Sequence, residues 1–269
     1  MNVEQDFTPK IMGIVNVTPD SFSDGGEFLD HDKAIAHGLM LAEQGADILD
    51  IGGESTRPGA SSVSVDVEID RVIPVISALK NSGCSISIDT KNAKTMRAAL
   101  DAGADIINDV TALEGDPQSL EVVSQSNANV CLMHMKGTPQ SMQQNPEYED
   151  VVSEVKAYLS ARVESCLKAG IDQSRIVIDP GIGFGKNLEH NLSLIKHIGD
   201  LKSIGCPILL GASRKRFIEM ICPDTQAKDR CPGSIAAMLF ALEQGVEYFR
   251  VHDVAQSVQA IKVFRAIAA

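Results

Sequence analysis

The chain contains eight short apolar runs, most of which are followed by a stretch with helical periodicity. The runs are rich in Ile, Val and Leu and show little alternation with polar residues, which is typical of parallel strands buried on both faces. They begin at Lys10, Asp47, Ser85, Asp105, Asn129, Arg175, Pro207 and Tyr248. Because strand–helix units joined by right-handed crossovers can close into a barrel, the pattern predicts an α/β fold, a single (β/α)8 TIM barrel. An open doubly wound sheet is the alternative.

The chain length is consistent with one barrel domain, since 269 residues is close to the roughly 250 that such barrels occupy. No linker rich in Pro, Gly or Ser divides the chain, so we assign residues 1–269 to a single domain. The longest stretches without periodicity follow the first and second strands, at 18–30 and 54–64. Loops of this length usually close over a ligand.

Composition excludes several classes of protein. The formal net charge of −12 opposes general nucleic-acid binding, which needs clustered Lys and Arg. The apolar fraction of 44% supports one large core, and no run has the length of a membrane span. The six cysteines stand singly, which favours buried thiols in a reducing compartment. The first residues lack the cationic start and apolar stretch of a signal peptide, so we expect a cytoplasmic protein.

Polar residues collect at the carboxyl ends of the predicted strands, where barrel enzymes carry their active sites. They are Asn16, Glu54, Ser55, Thr56, Arg57, Asp89, Asn108, Asp109, His134, Asp179, Ser213, Arg214, Lys215, Arg250, His252 and Asp253. One polar residue after a strand is ordinary turn chemistry. Polar side chains that converge from every strand imply either a mutual network or a polar ligand, because buried polar groups need partners.

These residues divide into two chemical groups. The first offers carboxylate acceptors and an amide, which suit the NH2, ring NH and carbonyl edge of an aminopyrimidine. Its members are Asp89, Asn108 and Asp179. The second offers charge-assisted donors suited to phosphate oxygens. Its members are Arg57, Arg250 and His252, together with Thr56. We therefore expect a flat heteroaromatic ligand that carries an anionic leaving group.

Structural interpretations stand beside the functional ones. Asp89 and Asp179 could cap the helices that follow them, although as a pair near Asn108 they favour a ligand. His134 is as compatible with a hydrogen-bonded structural role as with a functional one. Glu54 and Asp253 could anchor neighbouring arginines or one another.

The segment GIGFGK at 181–186 contains several glycines but lacks the Gly-x4-Gly-Lys-Ser/Thr spacing of a phosphate-binding P-loop. We interpret it as a turn, with Phe184 as the side chain that faces the ligand.

Eight segments together resemble the dihydropteroate synthase family. They are GIVNVTPDSFSDGG (13–26), DIGGESTRPGA (50–60), SIDT (87–90), GADIINDV (103–110), LMHMKGTPQSMQQNP (132–146), DPGIGFGK (179–186), GASRKRF (211–217) and RVHDV (250–254). The segments occur in family order and cover nearly the whole chain. The resemblance implies a barrel enzyme that joins a pterin pyrophosphate to 4-aminobenzoate and releases pyrophosphate. Lys91 and Arg216 depart from the family pattern, and each adds a positive charge near the site or its rim.

The resemblance also implies the ligand contacts. The pterin would bind at Asp89, Asn108, Met133, Asp179 and Lys215. The pyrophosphate would meet Thr56, Arg57, Arg250 and His252, and Asn16 would ligate a Mg2+ on the diphosphate. The 4-aminobenzoate would lie near Phe22, Pro58, Phe184 and Ser213, with its carboxylate close to Ser213 and an adjoining helix start. Asp24 would help to order the first loop. The residues expected to act in catalysis are Asp89, Asp179, Lys215, Arg250 and His252.

The implied mechanism is SN1-like: pyrophosphate leaves the pterin methylene, and the arylamine nitrogen then attacks without a protein nucleophile. Two alternatives remain open. A methyltetrahydrofolate-dependent methyl carrier would share the pterin carboxylates but would not need pyrophosphate donors, and an inactive pterin-binding module would be expected to lack the first loop or Lys215. The resemblance further implies a homodimer packed through outer helices and competition by sulfonamides, which are analogues of 4-aminobenzoate.

Overall fold

The computed structural model describes residues 7–18, 27–55, 63–138, 142 and 145–268. Its strands are β1 (Lys10–Asn16), β2 (Ile48–Gly52), β3 (Ser85–Asp89), β4 (Ile106–Asp109), β5 (Asn129–Met133), β6 (Ile176–Asp179), β7 (Leu209–Leu210) and β8 (Tyr248–Val251). All eight predicted strands are therefore confirmed.

The strands form one parallel sheet in the order β6-β5-β4-β3-β2-β1-β8-β7. Strand β1 pairs with β2 on one side and with β8 on the other, so the first and last strands are neighbours. The two strands at the ends of this order meet through a parallel bridge between Ile178 and Ile208. The sheet thereby closes on itself, which confirms the predicted TIM barrel and rules out the open doubly wound sheet.

Helices follow the strands. They are α1 (Glu27–Glu43), α2 (Val65–Leu79), α3 (Ala93–Ala102), α4 (Ser119–Ser124), α5 (Val151–Lys168), α6 (Leu188–Lys196), α7 (Arg216–Ile221), α8 (Cys231–Glu243) and α9 (Val254–Ala268). Periodicity did not predict α7, because its six residues are too few to show a helical period; only the resemblance implied a helix start beside Ser213. Gly103 ends α3 with a left-handed φ of 114°, as expected of a glycine helix stop.

One predicted helix is interrupted. Residues 191–205 (NLSLIKHIGDLKSIG) have the periodicity of one helix, but the α-helix ends at Lys196 and a 3-10 segment, Ile198–Ile204, follows it. The side-chain amide of Gln244 accepts from the Gly199 N–H at 3.3 Å and donates to the Ile195 carbonyl at 3.1 Å. These are the two groups that an uninterrupted helix would join to each other, so a contact from the end of α8 takes the place of that hydrogen bond.

Alternation along each strand separates an outer apolar layer from the barrel interior. The outward side chains pack against the helices in one large cluster; they include Leu49, Ile51, Ile86, Ile88, Ile107, Val130, Leu132 and Ile178. A second cluster fills the amino-terminal half of the interior and contains Met12, Ile48, Ile106, Cys131, Val177 and Leu209. The next inward positions on β2, β4 and β6 are polar, at Asp50, Asn108 and Asp179, and lie above this apolar layer.

Carboxylates satisfy backbone donors at the amino-terminal end of the barrel. Asp47 Oδ2 accepts from the Ile11 N–H at 2.8 Å, and Asp105 Oδ2 accepts from the Ile86 N–H at 2.8 Å. A strand N–H without an acceptor costs free energy, so these two contacts complete the ladder where it begins. This end of the barrel contributes to stability, and the polar layer lies at the other end. Within the described ranges, no helix combines the length and the apolar character needed to cross a bilayer.

We expect Asp105→Ala to lower the free energy of unfolding by about 1 kcal/mol, because the Ile86 N–H loses its acceptor. Ligand affinity should stay unchanged, since Asp105 lies before β4 and the polar layer lies at the far ends of the strands. Chemical denaturation measures the change. Asp101→Ala, which removes an exposed carboxylate from α3, is the matched control. Equal stability of the two variants would contradict the assigned role.

Candidate active site

The polar layer is centred on Asp50, a fully buried side chain of β2. Its Oδ2 accepts from Arg250 Nε at 2.6 Å and from Asn108 Nδ2 at 3.2 Å. Its Oδ1 accepts from Ser87 Oγ at 2.5 Å. The three donors come from β8, β4 and β3, so one carboxylate connects four strands of the barrel.

Arg250 joins Asp50 to a second carboxylate. Its Nη2 donates to Asp89 Oδ2 at 2.7 Å, and only 21% of its side chain is exposed. Burial raises the pKa of Asp89 to about 7; Arg250 opposes this shift, whereas the charge of Asp50 adds to it. Asp89 is therefore a carboxylate whose ionisation changes near neutral pH.

A second charged cluster lies at the ends of β6 and β7. Asp179 is buried, and its Oδ1 accepts from the Gly181 N–H at 2.7 Å. Burial raises the pKa of Asp179, while the Gly181 N–H and the charge of Lys215 oppose the shift. Lys215 Nζ lies 4.0 Å from the centre of the Phe184 ring, a cation–π distance.

An apolar wall adjoins these carboxylates. Met133 lies opposite Asp179 in the β5–β6 register and packs in a small cluster with Val110, Met142 and Phe184. Apolar side chains beside a few fixed polar groups are typical of a site for a flat ring. The predicted turn interpretation of GIGFGK is confirmed, because Gly181, at the start of this segment, has a left-handed φ of 69° and Phe184 extends from the same loop to the wall.

Ser213 and His252 form a closed pair. Ser213 Oγ accepts from the His252 backbone N–H at 3.1 Å and lies 3.0 Å from His252 Nδ1. Two neutral tautomers fit this contact; in the one with its proton on Nε2, the Ser213 hydroxyl donates to Nδ1 and Nε2–H is the imidazole donor. Burial and the charge of Arg250 lower the pKa of His252 to about 3. The imidazole is therefore a neutral donor here, in contrast to the charge-assisted donor expected from the sequence.

Arg214 separates Ser213 from Lys215 and has a left-handed φ of 56°, which is uncommon for a residue with a side chain. Its Nε donates to Asp253 Oδ2 at 2.9 Å, and its Nη2 donates to Asp253 Oδ1. Its backbone N–H donates to Ser234 Oγ at 2.8 Å. These contacts hold the strained turn and so fix the directions of the side chains on either side. Asp253 is an anchor for a neighbouring arginine, one of its two predicted roles.

Nine of the predicted site residues lie together at the carboxyl end of the barrel: Asp89, Asn108, Met133, Asp179, Phe184, Ser213, Lys215, Arg250 and His252. Asn16 ends β1 opposite Gly52 and is half-buried. The remaining predicted contacts fall outside the described residues; they are Phe22, Asp24, Thr56, Arg57 and Pro58.

The structural alternative for the two carboxylates is wrong. Helix α3 has Asn92 at its N-cap, and α6 has Asn187. Neither Asp89 nor Asp179 caps the helix that follows it. Both carboxylates instead lie in the polar layer, which is the arrangement that a ligand site requires.

The two departures from the family pattern add little charge to the site. Lys91 Nζ lies 3.2 Å from Glu54 Oε2, so a neighbouring carboxylate balances its charge. Arg216 is exposed in the first turn of α7.

For His134, the structure favours the structural interpretation. Its Nδ1 lies 2.9 Å from Lys186 Nζ, and its ring packs edge-on against Tyr158. Burial, with the charge of Lys186, lowers the pKa of His134 to about 3, so the ring is neutral and acts as an acceptor.

Asp50 is a site residue that was not predicted from the sequence. The signal was present, because Asp50 is the one charged residue within the apolar run Ile48–Gly52. A carboxylate in a strand buried on both faces needs partners from neighbouring strands. The sequence does not say which residues these are, since they lie as far as 200 positions away.

We expect Asp50→Asn to lower the free energy of unfolding by about 3 kcal/mol, because it breaks a buried ion pair and leaves Arg250 with one carboxylate. Ser87→Ala removes a neutral hydrogen bond to the same carboxylate and should cost about 1 kcal/mol. Denaturant titration of both variants tests the ranking. If Asp50→Asn is no less stable than Ser87→Ala, Asp50 does not organise the layer.

Comparison with known proteins agrees with this geometry. A family model described as "Pterin binding enzyme" matches residues 12–252. The dihydropteroate synthase of Neisseria meningitidis serogroup C is 48% identical over 262 residues, which covers 96% of this chain and 93% of that protein.

Solved structures give the same result. Xanthomonas albilineans dihydropteroate synthase with 4-aminobenzoic acid has a TM-score of 0.93 at 48% identity and covers 98% of this chain and 94% of its own. The structure of that organism's dihydropteroate synthase in complex with 7,8-dihydropteroate has a TM-score of 0.89 at 45% identity, with 99% and 96% covered. The chain therefore belongs to the dihydropteroate synthase family of pterin-binding enzymes.

Proposed function

We propose that this protein is a transferase of folate biosynthesis that condenses 6-hydroxymethyl-7,8-dihydropterin pyrophosphate with 4-aminobenzoate to give 7,8-dihydropteroate and pyrophosphate. The observation that carries the proposal is the convergence of Asp89, Asn108, Asp179 and Lys215 beside an apolar wall. The Xanthomonas albilineans structures with 4-aminobenzoic acid and with 7,8-dihydropteroate support the choice of substrates. Neither the methyl carrier nor the inactive module gains support from the relatives, which are named as synthases.

The pterin would be recognised by fixed acceptors. Asn108 Nδ2 is engaged by Asp50, so the amide oxygen is the atom that would accept a pterin N–H. Asp89 and Asp179 would accept from the amino group and a ring N–H, and Lys215 would donate to a ring acceptor. These groups are already desolvated and oriented by the barrel, so little reorganisation accompanies binding.

The leaving diphosphate would meet Arg250 and His252. The Nε and Nη2 of Arg250 already donate to carboxylates, so its Nη1 would donate to the diphosphate. The His252 Nε2–H would add a neutral donor. Arg57 and Thr56 are retained as further donors on sequence grounds.

Magnesium is part of the proposal. Among the residues that the structure describes, no group of three or more His, Cys, Asp or Glu could hold a metal ion. Asn16 offers a neutral oxygen at the end of β1, which fits a Mg2+ held mainly by the diphosphate. When bound, the metal would supply positive charge to the leaving group.

The proposed chemistry needs no nucleophile from the protein. The bond between the pterin methylene carbon and the diphosphate oxygen breaks, and its electron pair leaves with the diphosphate. The arylamine nitrogen then bonds to the methylene carbon and releases a proton. Met133 and Phe184 exclude water from the reacting carbon, and the fixed donors orient the leaving group.

The 4-aminobenzoate would lie beside Phe184 and Ser213, with Phe22 and Pro58 as further contacts predicted from sequence. The Ser213 hydroxyl already bonds to His252, so its place beside the carboxylate of 4-aminobenzoate remains a prediction from sequence. Sulfonamides carry the same ring and would compete at this position.

A homodimer is the proposed assembly. Exposed apolar side chains lie on several helices; those on α7, α8 and α9 are Met220, Ile221, Phe240, Val263 and Ile267, and the others lie on α1, α2, α5 and α6. We favour the segment SIAAMLF (234–240) of α8 for the interface, because it contains the exposed Phe240. All six cysteines are free thiols, which supports the expected cytoplasmic location.

The first test is turnover. We expect the purified protein to form dihydropteroate and pyrophosphate from the two substrates only when Mg2+ is present. Lys215→Ala and Arg250→Ala should each lower kcat/KM by roughly 100- to 1,000-fold, since each removes a charged donor from the site. Lys196→Ala, an exposed change on α6, is the control. Tight pterin binding without turnover in the unmodified protein would leave a binding module as the better description.

The second test is the pH dependence of pterin affinity. The pKa of Asp89 is raised to about 7, and the pterin N–H groups need the ionised carboxylate. Affinity should therefore be highest where Asp89 is ionised and should fall as the pH drops below about 7, with proton release on binding. Calorimetric titration with a pterin at several pH values measures this. Asp89→Asn should bind weakly with most of the acid dependence lost, and a flat profile in the unmodified protein would refute the assignment.

A further inference from the structure

Lys186 is a buried cation to which the proposed reaction gives no role. Its side chain is 2% exposed, so it lies outside the reach of a substrate. Its Nζ donates to His134 Nδ1 at 2.9 Å, to the Phe184 carbonyl at 2.9 Å and to the His134 carbonyl at 3.3 Å. An ammonium has three N–H groups, and each has an acceptor, none of which is a carboxylate. Burial of a cation without a carboxylate partner costs free energy of desolvation. Lys186 is therefore expected to have a role that explains why it is buried.

The acceptors of Lys186 belong to two chain segments that meet without a gap. A Cβ on Gly181 would lie 1.9 Å from the His134 carbonyl oxygen, and a Cβ on Gly185 would lie 2.3 Å from the Lys136 carbonyl oxygen. The backbone of the turn therefore lies directly on the segment that follows β5. The ammonium of Lys186 is the cross-link that holds the two together from the buried side.

The same turn carries two groups of the active site. Phe184 places its ring 4.0 Å from Lys215 Nζ, and the Gly181 N–H donates to Asp179 at 2.7 Å. The positive charge of Lys186 also lowers the pKa of Asp179 against the effect of burial. Lys186 is thus connected to the Phe184 ring, the Asp179 carboxylate and the Lys215 ammonium. These are groups that the pterin and the arylamine would meet.

We propose that Lys186 is a positioning residue for this reaction: through its contacts with His134 and Phe184 it sets the Phe184 ring against Lys215. The inference rests on the proposed function and deepens it. Because Lys186 is buried, we expect its effect to pass through groups that contact substrate.

The charged and titratable groups around Lys186 predict a basic limb in the pH profile. They are Asp179 at the end of β6, Lys215 after β7, His134 and Lys136 after β5, and His190 on α6. Burial lowers the pKa of Lys186 to about 7, and Asp179 raises it only in part. The cation is present below that pKa and is lost above it. We expect turnover to decline on the alkaline side in the unmodified protein and this decline to disappear when the cation is absent.

The test compares Lys186→Met, which keeps the length of the side chain but removes its charge and donors, with Lys196→Met, an exposed control. Lys186→Met should raise KM for 4-aminobenzoate and lower pterin affinity by roughly 10- to 100-fold. Effects of this size follow the loss of a residue that holds a ligand-contacting group in place. Its effect on KM should not add to that of Phe184→Leu, because both act on the same ring. A variant that is merely less stable would keep the KM values and the basic limb.

The outcomes are distinct. A folded Lys186→Met protein with KM values, pterin affinity and basic limb unchanged would overturn the inference while leaving the proposed function in place. No turnover in the unmodified protein would defeat the proposed function first. If Lys186→Met does not fold, His134→Ala is the deciding variant, because it removes one acceptor of the Lys186 ammonium. It should also raise KM for 4-aminobenzoate. An unchanged KM would overturn the inference.

Discussion

The ion pair between Asp50 and Arg250 is the interaction on which the rest of this site depends. A carboxylate at the centre of a barrel, directly above an apolar layer, is not tolerated without partners. Arg250 supplies the charge from 200 positions away in sequence and shares it with Asp89. The orientation of Asn108 follows from the same carboxylate. The buried charge of Asp50 thereby fixes the positions of Arg250, Asp89 and Asn108, which the substrates would meet.

In the second cluster, around Asp179, a buried carboxylate likewise has cations nearby, but they are lysines instead of an arginine. Lys215 and Lys186 oppose the effect of burial on its carboxyl group, but only Lys215 lies where a ligand would reach it. In both clusters a cation balances carboxylates that have been withdrawn from water before a ligand binds. Such groups are strong hydrogen-bond acceptors for the N–H edge of a heterocycle, because the cost of desolvating them is met during folding.

Much of this was predictable from sequence. Eight apolar runs specified the strands, and the position of polar residues at their ends specified which face carries chemistry. Apart from the short helix α7, the misses have a common cause, which is a partner from a distant part of the chain. The helix that breaks at His197 does so because Gln244, from a different helix, takes its backbone hydrogen bonds. Asp50 and Lys186 each sit in a motif but have partners on other strands or loops.

The sequence by itself determined the fold class, the strand order that follows from it, the family and the kinds of side chain at the carboxyl end. Only the tertiary structure decided which charges pair and which groups are neutral. His252 illustrates the difference, because its residue type allows a cation, whereas its burial beside Arg250 makes it a neutral donor. Periodicity is a local property that a sequence carries directly. Ion pairing and pKa depend on distance and burial, which arise only when strands far apart in the chain are brought together.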